Sequence, residues 1–376
     1  MYKKIGVVIG TRPEAIKLIP VYEALQQRFG IVELLSTGQH QEMLEQILSF
    51  FEINPTVRLD VFHSNQSLAG LTSRLCIAIQ NCIDEREYDL LVVQGDTATA
   101  MTAALIGFYN RIPVAHVEAG LRTYNKYSPF PEEVNRQIIS LTADFHFAPT
   151  QKAFDVLMDQ GIKNVHLVGN TVIDSLRLCL VKINQDIAKY QARFSRLCAF
   201  DRLVLITGHR RENFGVGFDG ICNAVRQLSR IYPNFLFYYP VHLNPNVKIK
   251  VAAELNGLEN VILDDPLPYD EIVYLMSRAV IILTDSGGIQ EEAPTMNVPI
   301  LVMRETTERT EGIESGCAVL VGTNPSKIIA EFTSIINDSN RYNQMALAHN
   351  PYGQGDSAAR IAQILLDSSL DQVAYD

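Results

Sequence analysis

Short apolar runs alternate with longer amphipathic segments along the whole chain, and this alternation restricts the fold more than any other feature. Residues 5–9, 31–36, 90–93, 114–117, 145–148 and 165–168 read as strands. Helices are expected from the stretch Gly10-Thr11-Arg12-Pro13-Glu14 onward and over 42–51, 68–85, 99–109 and 132–142. Thr11 and Glu14 have capping-box spacing, and Pro13 suits a first helical turn. Residues 172–200 are helical and polar and read as a connector. The alternation then restarts, with strands over 203–207, 236–240, 261–263, 280–284, 300–303 and 318–321. Helices follow over 218–231 and 269–277, and from Lys327 and Ser357. Such a pattern specifies parallel α/β sheets covered by helices. The 376 residues suffice for two domains. The fold class is therefore α/β, with two Rossmann-like doubly wound domains facing a cleft. They are expected over 1–170 and 171–356, with a last helix, 357–376, packing back on the first domain.

In open parallel sheets, ligands bind beyond the carboxyl ends of the strands. Polar residues gather there: Arg12, Gln39, His40, Asp96, Glu118, His209, Arg210, Arg211, Glu212, His242 and Ser286. The stretch 280–294, VIILTDSGGIQEEAP, reads as a buried strand, a tight Ser286-Gly287-Gly288 turn and a helix from Ile289 that Pro294 stops or kinks. Free N–H groups at a helix start attract anions, and paired glycines let a phosphate approach the backbone. Glu292, one turn on, suits a ribose hydroxyl. The stretch fits a nucleotide seat, and equally a plain strand-to-helix turn.

Net charge matters for the choice of partner. With 32 basic and 42 acidic residues the chain carries −10, which argues against nucleic acid or an anionic membrane as a partner. Within that acidic background Arg12, Lys17, His209, Arg210, Arg211, His242 and Arg309 suit a diphosphate, although some would pair with nearby carboxylates. His63 and His166 read as structural or surface residues. Asp96 and Glu118 directly follow apolar strands, which aims them at the cleft. Glu132 and Glu133 open a helix, where an acid is also a favourable first-turn charge. Two or three carboxylates at one site allow acid and base work on opposite faces of a substrate.

Other chemistries lack their motifs. The first strand is not followed by G-x-G-x-x-G, and the sequence has no Walker loop, zinc spacing or G-x-S-x-G elbow. The six cysteines are scattered and fit free thiols of a reducing compartment. The start, MYKKIGVVIG, is interrupted too early for a signal peptide, and no apolar run reaches the roughly 18 residues of a membrane helix, so a cytoplasmic location is expected.

Together the motifs resemble one family, the non-hydrolysing UDP-N-acetylglucosamine 2-epimerases. The matching segments are GTRPEAIK (10–17), GQHQEM (38–43), QGDT (94–97), HVEAGLRT (116–123), PFPEEVNR (129–136), GHRRENFG (208–215), PVHLNPNV (240–247), TDSGGIQEEAP (284–294) and TERTEG (307–312). The resemblance implies a GT-B-like fold, a homodimer, no metal and no nicotinamide, and interconversion of UDP-GlcNAc and UDP-ManNAc for bacterial surface polysaccharide. It casts Asp96, Glu118 and Glu132 as catalytic carboxylates and gives His209 a part in UDP departure. Arg12, Lys17, Ser286, Gly287, Gly288, Glu292 and Arg309 would hold UDP. Gln39, Arg210 and His242 fall in motifs that bind an activating second UDP-GlcNAc in some relatives. The chain departs from the family pattern at Thr310, commonly proline, and at Glu42, a glutamine in some activated relatives. Leu267 and Ile272 stand where the family places a glutamine and an aromatic beside uracil, which leaves Tyr269 or Tyr274 to stack on the base. The C2 proton of such a sugar is not acidified by a carbonyl, so elimination of UDP to 2-acetamidoglucal and re-addition is the accessible route. A GT-B glycosyltransferase, a hydrolysing epimerase and a non-catalytic nucleotide-sugar sensor are the rival readings.

Overall fold

The apolar runs pair in parallel and form two separate sheets. The computed structural model describes residues 2–38, 41–63, 66–208, 210, 213 and 215–373. One compact unit comprises Met1–Leu178 with Tyr352–Asp376, and the other Cys179–Pro351.

The first unit holds β1 (Lys4–Ile9), β2 (Ile31–Ser36), β3 (Val57–Arg58), β4 (Leu90–Gln94), β5 (Val114–Val117), β6 (Phe145–Ala148) and β7 (Val165–Leu167). Their order is β3-β2-β1-β4-β5-β6-β7. The chain winds outward from β1 and then returns beside it as β4, so the switch point lies between β1 and β4. Leu75, Ile79, Ala100, Ala103 and Ala104 of the helices Leu68–Arg86 and Ala98–Tyr109 pack on Val8, Leu91 and Val93 of the sheet. Burying each large aliphatic side chain stabilises the unit by about 1.5–3 kcal/mol. The final helix, Ser357–Val373, packs against Arg12–Gln26. Asp174 Oδ1 accepts from the Ala358 N–H at 2.9 Å, and the Arg360 guanidinium donates to the carbonyls of Leu167 and Val168.

The second unit holds β8 (Arg202–Thr207), β9 (Phe235–Pro240), β10 (Val261–Asp264), β11 (Ala279–Thr284), β12 (Ile300–Val302) and β13 (Ala318–Leu320), in the order β10-β9-β8-β11-β12-β13. Its switch point lies between β8 and β11. Phe218, Ile221 and Val225 of the helix Val216–Ile231 and Phe332 of Pro325–Asn337 cover Val204, Ile206, Phe237, Leu283 and Leu301.

Several elements differ from the sequence expectation. The stretch read as a polar connector contains an amphipathic core helix, Thr171–Gln185, with Val172, Ile173, Leu176, Cys179 and Ile183 buried. Its apolar residues keep helical spacing inside a polar background. Ser286-Gly287-Gly288 is not a turn before the helix. Ser286 is the N-cap, the glycines are the first helical residues of Gly287–Glu292, and a 3₁₀ segment, Ala293–Met296, carries the chain past Pro294. The first turn of a helix leaves its N–H groups without intrahelical acceptors, so glycine costs little there. Further elements are the two-residue β3 and the helices Gln151–Asp159, Pro245–Leu255, Thr310–Glu314 and Ser339–Ala346. In Pro245–Leu255 the spacing of Val247, Val251 and Leu255, all buried, is a sufficient sequence signal.

Candidate functional site

In the first unit the candidate residues collect where β4 and β5 end side by side, with Gln94 opposite Val117. Each strand stops in a left-handed residue, Gly95 at φ 69° and Glu118 at φ 65°. Glycine takes this conformation freely, whereas for glutamate it costs of order 1–3 kcal/mol, a strain typical of functional sites. Glu118 is held from two sides. Lys17 Nζ, on the helix that follows β1, lies 2.6 Å from Oε1, and Gln94 Nε2 donates to Oε2.

Asp96 is held by the helix Glu132–Thr142. Arg136 Nε and Nη2 both meet Asp96 Oδ2 at 2.7 Å, and Asn135 Nδ2 donates to the Asp96 carbonyl at 2.8 Å. Glu132 begins that same helix, and its Oε2 is buried without a hydrogen-bond partner among the described residues. The structure thus brings Asp96, Glu118 and the cations Lys17 and Arg136 to one edge, and the helix that carries Glu132 to Asp96. Glu133 has another use. Fully buried, it accepts from the N–H groups of Thr123 and Tyr124 and from Arg136 Nη1, which fixes the segment leading into the helix. Burial opposes the ionised form of Glu133, but the hydrogen bonds from Thr123, Gln137 and Tyr124 outweigh it and hold the carboxyl below its ordinary range.

Beneath these residues lies Glu14. It accepts from the Gly10 and Thr11 N–H groups at 2.9 and 2.7 Å and from the Thr97 hydroxyl, so it joins the turn after β1 to the turn after β4. Burial still pushes its carboxyl upward despite those donors. The Thr11–Glu14 spacing read from the sequence is realised as a capping box that also reaches across the switch point.

In the second unit the corresponding place is the end of β8 and β11, where Thr207 and Thr284 share a hydrogen bond at 2.6 Å. Asp285 is fully buried and accepts from the Arg210 N–H at 2.8 Å and from Asn213 Nδ2 at 3.1 Å. This ties the segment after β8 to the start of Gly287–Glu292. A Cβ added to Gly287 would lie 3.4 Å from the Arg309 guanidinium carbon and 3.7 Å from Arg210 Nη2. A Cβ added to Gly288 would have Ser286 Oγ at 4.0 Å. Two guanidinium groups therefore converge on a helix start whose first two residues lack side chains, an arrangement suited to phosphate oxygens. Arg309 is steadied by Glu291 Oε1, which accepts from Nε and Nη2 at 2.9 Å. The Tyr269 hydroxyl donates to Glu292 Oε1 at 2.8 Å.

Residues 23–366 match the family model for UDP-N-acetylglucosamine 2-epimerase. The chain belongs to the UDP-N-acetylglucosamine 2-epimerase family. The family's Yersinia pestis enzyme, UDP-N-acetylglucosamine 2-epimerase, is 46% identical over 368 residues, covering 96% of this chain and 98% of its own. The crystal structure of the epimerase from Neisseria meningitidis bound to UDP-GlcNAc superposes with a TM-score of 0.89 at 43% identity, covering 97% of this chain and all of that one. MurG of Acinetobacter baumannii, at 14% identity, shares the fold alone, with a TM-score of 0.63. The family resemblance and the GT-B-like α/β fold read from the sequence are thereby established.

The structure places the expected site residues of this epimerase-family chain among particular neighbours. Lys17, expected on UDP, has its ammonium on Glu118. Arg210, expected at an activator site, lies with Arg309 beside Gly287. Tyr274 cannot stack on a base. It is buried between Tyr190 and Phe194, with ring centroids 5.4 and 5.5 Å away, because the helix Ile187–Arg193 and the residue after it complete an aromatic core. Tyr269 is likewise buried. Leu267 and Ile272 are half-buried, and Arg12 is the first residue of its helix. His242 is exposed and accepts from the Asn244 N–H at 3.1 Å. Gln39, His40, His209, Arg211 and Glu212 lie outside the described residues. Sequence reasoning did not single out Gln94, Arg136, Asn213, Asp285 or His116. All five lie within quoted motifs, and their partners are distant in sequence. Among the described residues no helix is long and apolar enough to cross a membrane.

Proposed function

We propose that this epimerase acts without net hydrolysis, interconverting UDP-GlcNAc and UDP-ManNAc by elimination and re-addition. The observation that carries the reading is the pair of carboxylates at adjacent strand ends, Asp96 under Arg136 and Glu118 under Lys17. Each is aimed by its own cation, so two proton-transfer groups are fixed relative to one another. The C1–O bond to UDP breaks and positive charge develops at C1. One carboxylate takes the C2 proton, leaving 2-acetamidoglucal and UDP. UDP then adds back to C1 while a proton reaches C2 from the other face. Glu132, whose Oε2 is buried without a protein partner, completes the catalytic set.

The second unit takes the diphosphate at the Gly287–Glu292 helix start. Arg309 and Arg210 stabilise the charge that grows on it as C1–O cleaves, where preorganised electrostatics acts most strongly. Ser286, Gly288, Glu292 and Arg12 are assigned to the same UDP, with Leu267 and Ile272 beside the uracil and His209 assisting UDP departure. The assembly is a homodimer located in the cytoplasm, and the product serves ManNAc-containing surface polysaccharide.

The test is NMR of the protein with UDP-GlcNAc in D₂O, with nothing else added. Deuterium entering C2 as UDP-ManNAc appears is the expected result. Accumulation of free ManNAc and UDP would establish the hydrolysing reaction instead. An unchanged substrate under conditions of demonstrated binding would turn the reading to a transferase that needs an acceptor, or to a sensor.

A further inference from the structure

Three buried side chains hold the Gly95-Asp96-Thr97 turn, one at each residue. Asn135 Nδ2 donates to the Asp96 carbonyl at 2.8 Å, Glu14 accepts from the Thr97 hydroxyl, and His116 Nε2 lies 2.7 Å from the Gly95 carbonyl oxygen. The third contact belongs to no step derived above. We propose that His116 is a positioning residue: its Nε2–H, donated to the Gly95 carbonyl, locks the turn and so fixes the aim of the Asp96 carboxylate. The inference rests on the role given to Asp96 above.

A carbonyl only accepts, so the contact assigns the proton to Nε2 and leaves Nδ1 as the bare nitrogen. His116 is 1% exposed, and its Nδ1 is buried with no hydrogen-bond partner among the described residues. A histidine kept only to fill the core would gain by satisfying both nitrogens or by being replaced with an apolar residue. Here one unmet acceptor is retained together with one donor directed at the turn. The turn requires an external restraint because Gly95 stands at φ 69° and glycine has no side chain to oppose a backbone flip. Arg136 fixes the head of Asp96, and His116 fixes the backbone beneath it.

The donor is also constant with pH. His116 pairs across the β5–β6 ladder with His146, and the other charged groups acting on it are Arg122 and Arg136. Burial first, and then these neighbours, push its basicity down to about 3. The ring therefore stays neutral, with its proton on Nε2, throughout the range in which an enzyme of this kind works.

The experiment compares His116→Ala, His116→Asn and His116→Gln, each in the wild-type and in the Asp96→Asn background. It measures kcat, KM, UDP binding and thermal unfolding. Alanine is expected to lower kcat roughly 10- to 100-fold, the scale of a small misplacement, with KM within about 3-fold. The longer amide of glutamine should recover most of that loss, and the shorter asparagine should not. In the Asp96→Asn background the alanine change should cost less than about 3-fold more, because the group it positions is already gone. A loss of the same size in both backgrounds, or a His116→Ala enzyme with wild-type kcat, overturns the inference. Should His116→Ala not fold, the asparagine and glutamine variants carry the same comparison. Full turnover by Asp96→Asn alone would remove the reading of Asp96 itself, a different failure read from a different enzyme.

Discussion

The Lys17 ammonium lies 2.6 Å from Glu118 Oε1, joining the helix after β1 to the end of β5 across 101 residues of sequence. Both side chains are largely shielded from solvent, so the attraction is stronger than at an open surface. The pair also fixes a glutamate whose backbone is already strained at φ 65°. Lys17→Met is expected to reduce turnover about 10²-fold while UDP affinity stays within about 3-fold. Calorimetric titration with UDP beside steady-state kinetics separates the two. A large loss of UDP affinity at normal turnover would return Lys17 to the nucleotide.

One guanidinium holds the Asp96 carboxylate by two contacts, since Arg136 Nε and Nη2 meet the same oxygen at 2.7 Å. Arg136→Lys keeps the charge but loses the fork, which is not a conservative change at such a site. Turnover should fall by about 10- to 100-fold with UDP binding intact. Wild-type kcat in this variant would show that the fork does not set the aim of Asp96.

The carboxylates should separate from UDP binding. Asp96→Asn, Glu118→Gln and Glu132→Gln are each expected to lose about 10²–10⁴-fold in kcat, the range for a general acid or base. Exchange of the C2 proton with solvent, followed by NMR, reports the step directly. A variant that exchanges at the wild-type rate leaves the catalytic set.

Gly287 tests the nucleotide seat without disturbing the core. Its virtual Cβ meets nothing closer than the Arg309 guanidinium carbon at 3.4 Å, so Gly287→Ala should fold, with thermal stability unchanged or slightly raised by the better helix former. The added methyl would stand between the two guanidinium groups, where phosphate oxygens are expected. UDP affinity should drop about tenfold or more, the scale of one lost charge-assisted hydrogen bond. Unchanged affinity would move the diphosphate elsewhere.

Acid should destabilise the first unit through its buried histidines. Burial lowers His116 to about 3 and His146 to about 4 from the ordinary 6.5. Below pH 6.5 the unfolded chain binds protons that the folded chain refuses, so stability falls as pH drops from there toward the folded values. Each histidine contributes a slope of up to about 1.4 kcal/mol per pH unit in that window. Glu14 and Asp174, both raised by burial, act with the opposite sign from their ordinary values of 4.5 and 3.8 upward to their folded ones, so the histidine effect between pH 6 and 5 is isolated by comparing a variant with the wild type. Urea unfolding over that interval should show a shallower pH dependence for His116→Gln than for the wild type. Identical slopes would mean that His116 is protonated in the folded state.

Much of this protein is written locally. Strand and helix periods depend on neighbouring residues, so β2, β5, β6 and the helix Glu132–Thr142 have the bounds the sequence predicts, and Asp96 and Glu118 follow their strands as expected. The family was legible for the same reason, since its motifs are short contiguous segments. Where the sequence reading fell short, the cause was a shared one. Tyr274 read as a stacking aromatic because nothing nearby shows that Tyr190 and Phe194 will cover it. Arg309 read as one of a cation set of which some members would pair with carboxylates, and its particular partner, Glu291, eighteen residues earlier, is supplied by the folded helix start and loop.

The sequence by itself determined the α/β alternation, the family and which residue types stand at the strand ends. Tertiary structure alone decided their partners. Strand order places β4 between β1 and β5 in the first sheet and β8 beside β11 in the second. That order sets Lys17 against Glu118, Arg136 against Asp96, Asp285 against the Arg210 backbone and His116 against Gly95. A side chain's type and its place in a local period are local properties. The neighbour that fixes its charge and direction arrives from dozens of residues away, so only the folded topology supplies it.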